Sequence, residues 1–171
     1  MPRYIAFLRG VSPLNAKMAE LRDCFQVAGF DDVCTVLSSG NLVFSTRGTS
    51  LTALEKKAET AMLASLGRSF ATIVRPADYL QQLVASDPFA EFKLPPMAKR
   101  MVTFLRHAPD PGIGLPNERD GARILKLAAA EVFTAYEPHP KGPVFMTMLE
   151  RTFGRDITTR SLDTVKKCAR A

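Results

Sequence analysis

Two polar turn motifs, Arg9-Gly10 and Ser38-Ser39-Gly40-Asn41, each abut a strongly apolar run, which places chain reversals at strand ends early in the sequence. The run at 3–8 is near-continuously apolar, as expected of a strand covered on both faces. Met18, Leu21, Phe25 and Ala28 then recur at helical spacing, with Asn15 placed to cap that helix and Gly29 to end it. The runs at 33–37 and 42–45 read as strands joined through Ser38 to Asn41, where Gly and Asn tolerate positive φ. Thr52 followed by Glu55 has the form of a capping box for a second helix, whose apolar stripe is Leu54, Ala58, Ala61, Met62 and Leu66 and whose end is Gly67. A fourth strand at 70–74 completes a split β-α-β-β-α-β order over residues 3–75.

The order then starts again, after a short connecting helix at 78–85 and a linker marked by Pro95-Pro96. Strands are expected at 101–105, 123–127 and 132–136, with a Pro- and Gly-rich loop at 109–121. Pro143 opens a helix carrying Phe145, Met148 and Leu149 that stops at Gly154; a short strand at Ile157 and a helix at 162–170 follow. The class predicted is α+β: two tandem ferredoxin-like halves, each with helices packed on an antiparallel sheet. The halves are residues 1–75 and 98–171, the latter including the C-terminal helix, with 76–97 as the connecting helix and linker. No residue-level repeat links them.

Composition narrows the chemistry. The chain has 171 residues, ordinary apolar and charged fractions, and no apolar run long enough to span a membrane, so a cytoplasmic protein without a membrane partner is expected. Its three cysteines, Cys24, Cys34 and Cys168, show no Cys-x-x-Cys spacing, and His107 and His139 are its only histidines. Neither a metal site nor a bound cofactor is expected from so dispersed a set of ligands. The net charge of +6 is concentrated late: Arg151, Arg155, Arg160, Lys166, Lys167 and Arg170 outweigh Asp156 and Asp163. Such a segment attracts phosphates through space, although basic side chains on a last helix also complement its dipole.

Three segments qualify as ligand-binding candidates. The first is the loop from Arg9 and Gly10 through Ser12 and Asn15 to Lys17, which leads from a strand end into a helix N-terminus. Its guanidinium suits a carboxylate or phosphate, while capping by Asn15, an internal pairing of Arg9 and a solvated Lys17 form the structural alternative. The second is the turn Ser38, Ser39, Gly40 and Asn41, whose residue types a tight hairpin also demands. The third is Thr158, Thr159 and Arg160 with Lys167, hydroxyls and cations at the final helix, where Arg160 paired with Asp156 or Asp163 is the structural alternative. A serine nucleophile would need a base and an oxyanion hole, and no residue pattern supplies them.

The order of motifs resembles a known family. Arg9-Gly10-Val11, Met18 with Leu21, Gly29-Phe30 through Val33, Ser39-Gly40-Asn41-Leu42-Val43-Phe44, then Thr158-Thr159-Arg160 with Thr164-Val165 and Lys167, are similar to signatures of the bacterial domain of unknown function 1697. The resemblance implies a soluble α+β protein with two ferredoxin-like halves, and no reaction. Ser12-Pro13-Leu14-Asn15 stands where that family usually has Gly-Gly, and Ser161-Leu162 where it usually has Asn-Trp. The first departure stiffens the loop and the second removes an aromatic stacking surface.

Three functions are therefore carried forward. The first is binding of an anionic small molecule or a nucleic acid through the strand-to-helix loops and the basic C-terminal segment. For nucleic acid the paired aromatics of an RNA-recognition motif are missing, so binding would be electrostatic and salt-sensitive. The second is an enzyme acting on a phosphorylated or carboxylated substrate held between the Arg9 loop and the Ser39-Gly40-Asn41 turn. The third is a protein-interaction module using uncovered sheet faces. The residues name no reaction.

Overall fold

The computed structural model describes residues 1–109, 117–140, 142 and 144–171. The chain is α+β, with helices packed on two antiparallel sheets. It divides into two compact units, Met1–Ser86 with Asp163–Ala171, and Asp87–Leu162.

The first unit begins with β1 (Arg3–Leu8), α1 (Met18–Val27), β2 (Asp31–Thr35), β3 (Asn41–Ser45), α2 (Leu51–Leu66), β4 (Thr72–Pro76) and α3 (Ala77–Ala85). Its sheet order is β2-β3-β1-β4, antiparallel throughout. Alternation along β1 decides the layering: Tyr4, Ala6 and Leu8 join Leu42, Phe44 and Val74 beneath Leu21 and Phe25 of α1 and Leu54, Ala58 and Met62 of α2. Phe25, Phe30 and Phe44 form the centre of that core, with the Phe30 and Phe44 rings 4.4 Å apart. The intervening Ile5, Phe7, Val43 and Ile73 are buried as well, so neither face of the central strands is open.

Local expectations changed where side chains found better partners. Ser50, and not Thr52, caps α2, accepting the Ala53 N–H at 3.1 Å. Glu55 is thereby released from the capping box and reaches β4, where it accepts the Val74 N–H at 2.9 Å. Gly67 ends α2 in the left-handed region, as anticipated. β2 starts earlier than expected and carries a bulge between Asp31 and Cys34, so that Leu37 falls into the turn with φ +59°.

The second unit comprises β5 (Lys99–Leu105), β6 (Asn117–Arg119), β7 (Ala122–Ala128), β8 (Glu131–Tyr136), α4 (Val144–Phe153) and β9 (Ile157–Ser161), in the sheet order β6-β7-β8-β5-β9. Leu105, Ile124, Val132 and Ile157 form its core with Met148 and Leu149 of α4. β6 lies in the stretch expected to be an irregular loop; most of that loop, like Pro143, lies outside the described residues. With β6 set aside as an added edge strand, β7-β8-β5-β9 follows the same order as β2-β3-β1-β4.

The final helix, α5 (Leu162–Arg170), groups from Asp163 onward with the first unit, whereas the sequence placed it with the second half. Its buried stripe of Val165, Cys168 and Ala169 explains the need for a core to join. The Gln81 amide of α3 donates to the Ala169 carbonyl at 3.0 Å, and Arg3 Nε to that of Ala171 at 3.1 Å. α3 likewise belongs to the first unit and is not a free connector.

The three thiols are free. Burial pushes the Cys24 thiol above its ordinary value, and a hydrogen bond with the Ser65 side chain works against that rise. The unfolded chain therefore ionises Cys24 first, so its contribution to stability is fully present below the ordinary thiol value and lost as pH climbs from there through the raised value of the folded state. Half-buried Cys34, beside Arg3 Nη2 at 3.6 Å, is expected to be alkylated by iodoacetamide well before buried Cys24 and Cys168. Equal labelling rates by mass spectrometry would contradict this assignment.

Candidate functional site

β1 ends because Gly10, at φ +81°, turns the chain out of the sheet after Arg9. Arg9 remains tied to the sheet through its backbone N–H, which donates to the Ala71 carbonyl at 2.8 Å. The loop beyond it is braced from within. Asn15 donates its amide to the Gly10 carbonyl at 2.7 Å and accepts the Ser12 N–H at 2.9 Å, while Ser12 Oγ accepts the Leu14 N–H at 3.3 Å. Asn15 is thus not the cap of α1; Lys17 occupies that position without a side-chain hydrogen bond. Asn15 performs the loop-closing task that backbone alone would otherwise have to meet.

The second candidate turn is held by the same logic. Asn41 is fully buried; its side-chain amide donates to the Val36 carbonyl at 2.9 Å and to Ser39 Oγ at 3.0 Å, and its backbone carbonyl accepts the Val36 N–H. Asn41 therefore shapes the turn and does not face a ligand. Ser38 is exposed, Ser39 half-buried, and Gly40 buried. The Gly40 carbonyl accepts the Leu8 N–H at 2.8 Å. A Cβ on Gly40 would lie 2.8 Å from Val11 Cβ, so the turn rests directly on the first loop. Arg9 to Lys17 and Ser38 to Asn41 accordingly share one end of the first sheet, with Arg9 half-buried and Lys17 exposed.

The third candidate group is not a loop. Thr158, Thr159 and Arg160 lie inside β9 of the second unit. Thr158 and Arg160 are buried, and Thr159 Oγ1 lies 2.7 Å from Thr103 Oγ1. Arg160 Nη1 donates to Thr158 Oγ1 at 2.7 Å and to the Thr159 carbonyl at 2.9 Å. Asp156 pairs instead with Arg106 and His107. The expectation of a solvent-facing anion pocket here gives way because a strand alternates its side chains, and this one buries Thr158 and Arg160. Lys167 belongs to α5, exposed beside Lys166 and Arg170.

Register reveals a correspondence that the sequence did not disclose. The Leu105 N–H donates to the Ala130 carbonyl and the Arg106 N–H to that of Asp156, as Leu8 does to Gly40 and Arg9 to Ala71. Phe7-Leu8-Arg9 and Phe104-Leu105-Arg106 therefore occupy equivalent strand ends. Arg75 lies opposite Ile5, and Arg160 opposite Val102. Both arginines are buried, and each precedes a helix by two positions. The shared Phe-Leu-Arg triplet was the available signal, too short to notice without the pairing.

A cleft of about 480 Å³ opens at the other end of the first sheet, where β1 starts opposite Ser45. Thr46, Arg47, Thr49 and Lys57 line it. Among the described residues no group of three or more His, Cys, Asp or Glu could hold a metal, and no helix is long and apolar enough to cross a membrane.

The family model described as Protein of unknown function (DUF1697) matches residues 1–129. The chain belongs to that family. A solved structure, that of the conserved bacterial protein SP0830 from Streptococcus pneumoniae, is similar to this DUF1697 protein with a TM-score of 0.72 and 19% identity, covering 99% of this chain and 97% of that one. At that identity the likeness concerns the fold. None of the curated proteins matches this DUF1697 chain.

Proposed function

We propose that the two units are copies of one ferredoxin-like plan and that the first copy binds an anionic small molecule, such as a phosphate or carboxylate ester, where the Arg9 loop meets the Ser38 to Asn41 turn. The observation that carries this reading is the Leu8 N–H to Gly40 carbonyl bond with Gly40 seated on Val11. It holds the turn that carries Ser38 and Ser39 against the loop that carries Arg9 and Lys17, so a ligand bridging the two would need little reorganisation of the chain. Asn15, Ser12 and Asn41 brace the two segments, which fixes the positions from which Arg9, Lys17 and Ser38 would meet an anion. The chain end that follows Lys166, Lys167 and Arg170 of α5 meets Arg3 at the opposite end of β1, so these cations belong to the general positive field and not to this site.

A small anion is favoured over an RNA laid across a sheet. Tyr4, Phe7, Val43 and Phe44 are buried, so stacking on the central strands has no surface to use. The same burial weighs against a protein partner docking on an open sheet face. Calorimetric titration with phosphate, pyrophosphate and citrate tests the proposal. Arg9→Ala is expected to weaken the best binder by on the order of tenfold or more, since a charge-assisted hydrogen bond contributes about 1.5–3 kcal/mol. Unchanged affinity in a folded Arg9→Ala variant would remove the site. Filter binding to single-stranded DNA and RNA at two salt concentrations separates the nucleic-acid version, which no retention at low salt would eliminate.

A further inference from the structure

β4 is the terminal strand of the first sheet, and the donors and one acceptor along its outer side are met by side chains or missing. The Thr72 N–H donates to Glu59 Oε2 at 3.2 Å and the Val74 N–H to Glu55 Oε2 at 2.9 Å. Pro76, next on the same side, has no N–H to offer. Arg75 Nη1 donates to the outward Val74 carbonyl at 3.0 Å. The match is geometric: two strand residues advance about 6.7 Å and four helical residues about 6 Å, so carboxylates one turn apart on α2 meet alternate strand amides.

We propose that Glu55 and Glu59 act as a resident substitute for a neighbouring strand, closing the β4 edge, and that the partner they exclude is a second copy of this chain. The edge sequence Thr72-Ile73-Val74 is β-branched throughout, which favours strand pairing. Antiparallel pairing of β4 with itself needs only a two-fold axis and a second molecule presenting the same edge. Glu55, Glu59 and β4 share no segment with the proposed anion site.

Amide hydrogen exchange and sedimentation on the full chain test it together. In Glu55→Ala/Glu59→Ala the Thr72 and Val74 amides should lose protection by roughly tenfold or more. The average mass should rise with concentration toward about twice that of the parent. Glu55→Gln/Glu59→Gln keeps an acceptor oxygen at both places and should retain protection and the parent mass. Should the alanine pair fail to fold, Glu59→Ala alone should free the Thr72 amide while Val74 stays protected. Unaltered exchange in the alanine variants, loss of protection in the glutamine pair, or freed amides with the parent mass would each overturn the proposal.

Discussion

Gly40→Ala is expected to lower the stability of the first unit by about 2–5 kcal/mol, one of the two largest effects anticipated for this protein. Two costs add. At φ +86° an L side chain meets its own backbone, at about 1–2 kcal/mol. The new methyl would also lie 2.8 Å from Val11 Cβ and 3.1 Å from Leu8 Cβ. Neither neighbour yields cheaply: Val11 is β-branched and Leu8 is fully buried within β1. Overpacking of this kind costs a further 1–3 kcal/mol or so. Urea unfolding followed through the first unit's amides measures the sum. A loss of less than about 0.5 kcal/mol would mean that the loop and turn can part without consequence, which would also weaken the proposed anion site.

Ending the chain at Leu162 is the second. Removal of residues 163–171 takes away the buried Val165, Cys168 and Ala169, together with the carbonyls that receive Gln81 and Arg3. Burial of a valine contributes about 1.5–3 kcal/mol and the smaller side chains less, so a loss of about 3–5 kcal/mol is expected. The location matters as much as the size. Protection should fall first in β1 and α3, because α5 clusters with the first unit. Loss confined to the amides of β5, β8 and β9 would instead assign the helix to the second unit. Val165→Asp offers a point substitution with the same expected location, since it places a carboxylate in a fully buried position.

Much of the architecture could be read from residue order. The apolar run of β1, the helical spacing of Met18, Leu21 and Phe25, and the left-handed stop at Gly67 are local properties, and the structure has each of them. Roles that depend on a distant partner were harder to read. Asn15 has the chemistry of a cap but closes a loop, because its side chain is taken by the Gly10 carbonyl and the Ser12 N–H while Lys17 holds the cap position. Glu55 fits a capping box, yet an edge strand without a neighbour offers a buried amide with more to lose if left unpaired. Arg160 looked like a surface cation beside hydroxyls; its strand turned it inward, where Thr158 and a backbone carbonyl receive it.

Periodicity, turn residues and the breaks between them were enough to determine an α+β chain with its strands and helices in this order, the short edge strand β6 excepted, because these preferences act between residues a few positions apart. Which polar side chains stayed available for a ligand was decided only by tertiary structure. The same Asn, Ser, Glu or Arg can face water or satisfy an amide many residues away, and the choice depends on which backbone groups folding leaves unpaired beside it.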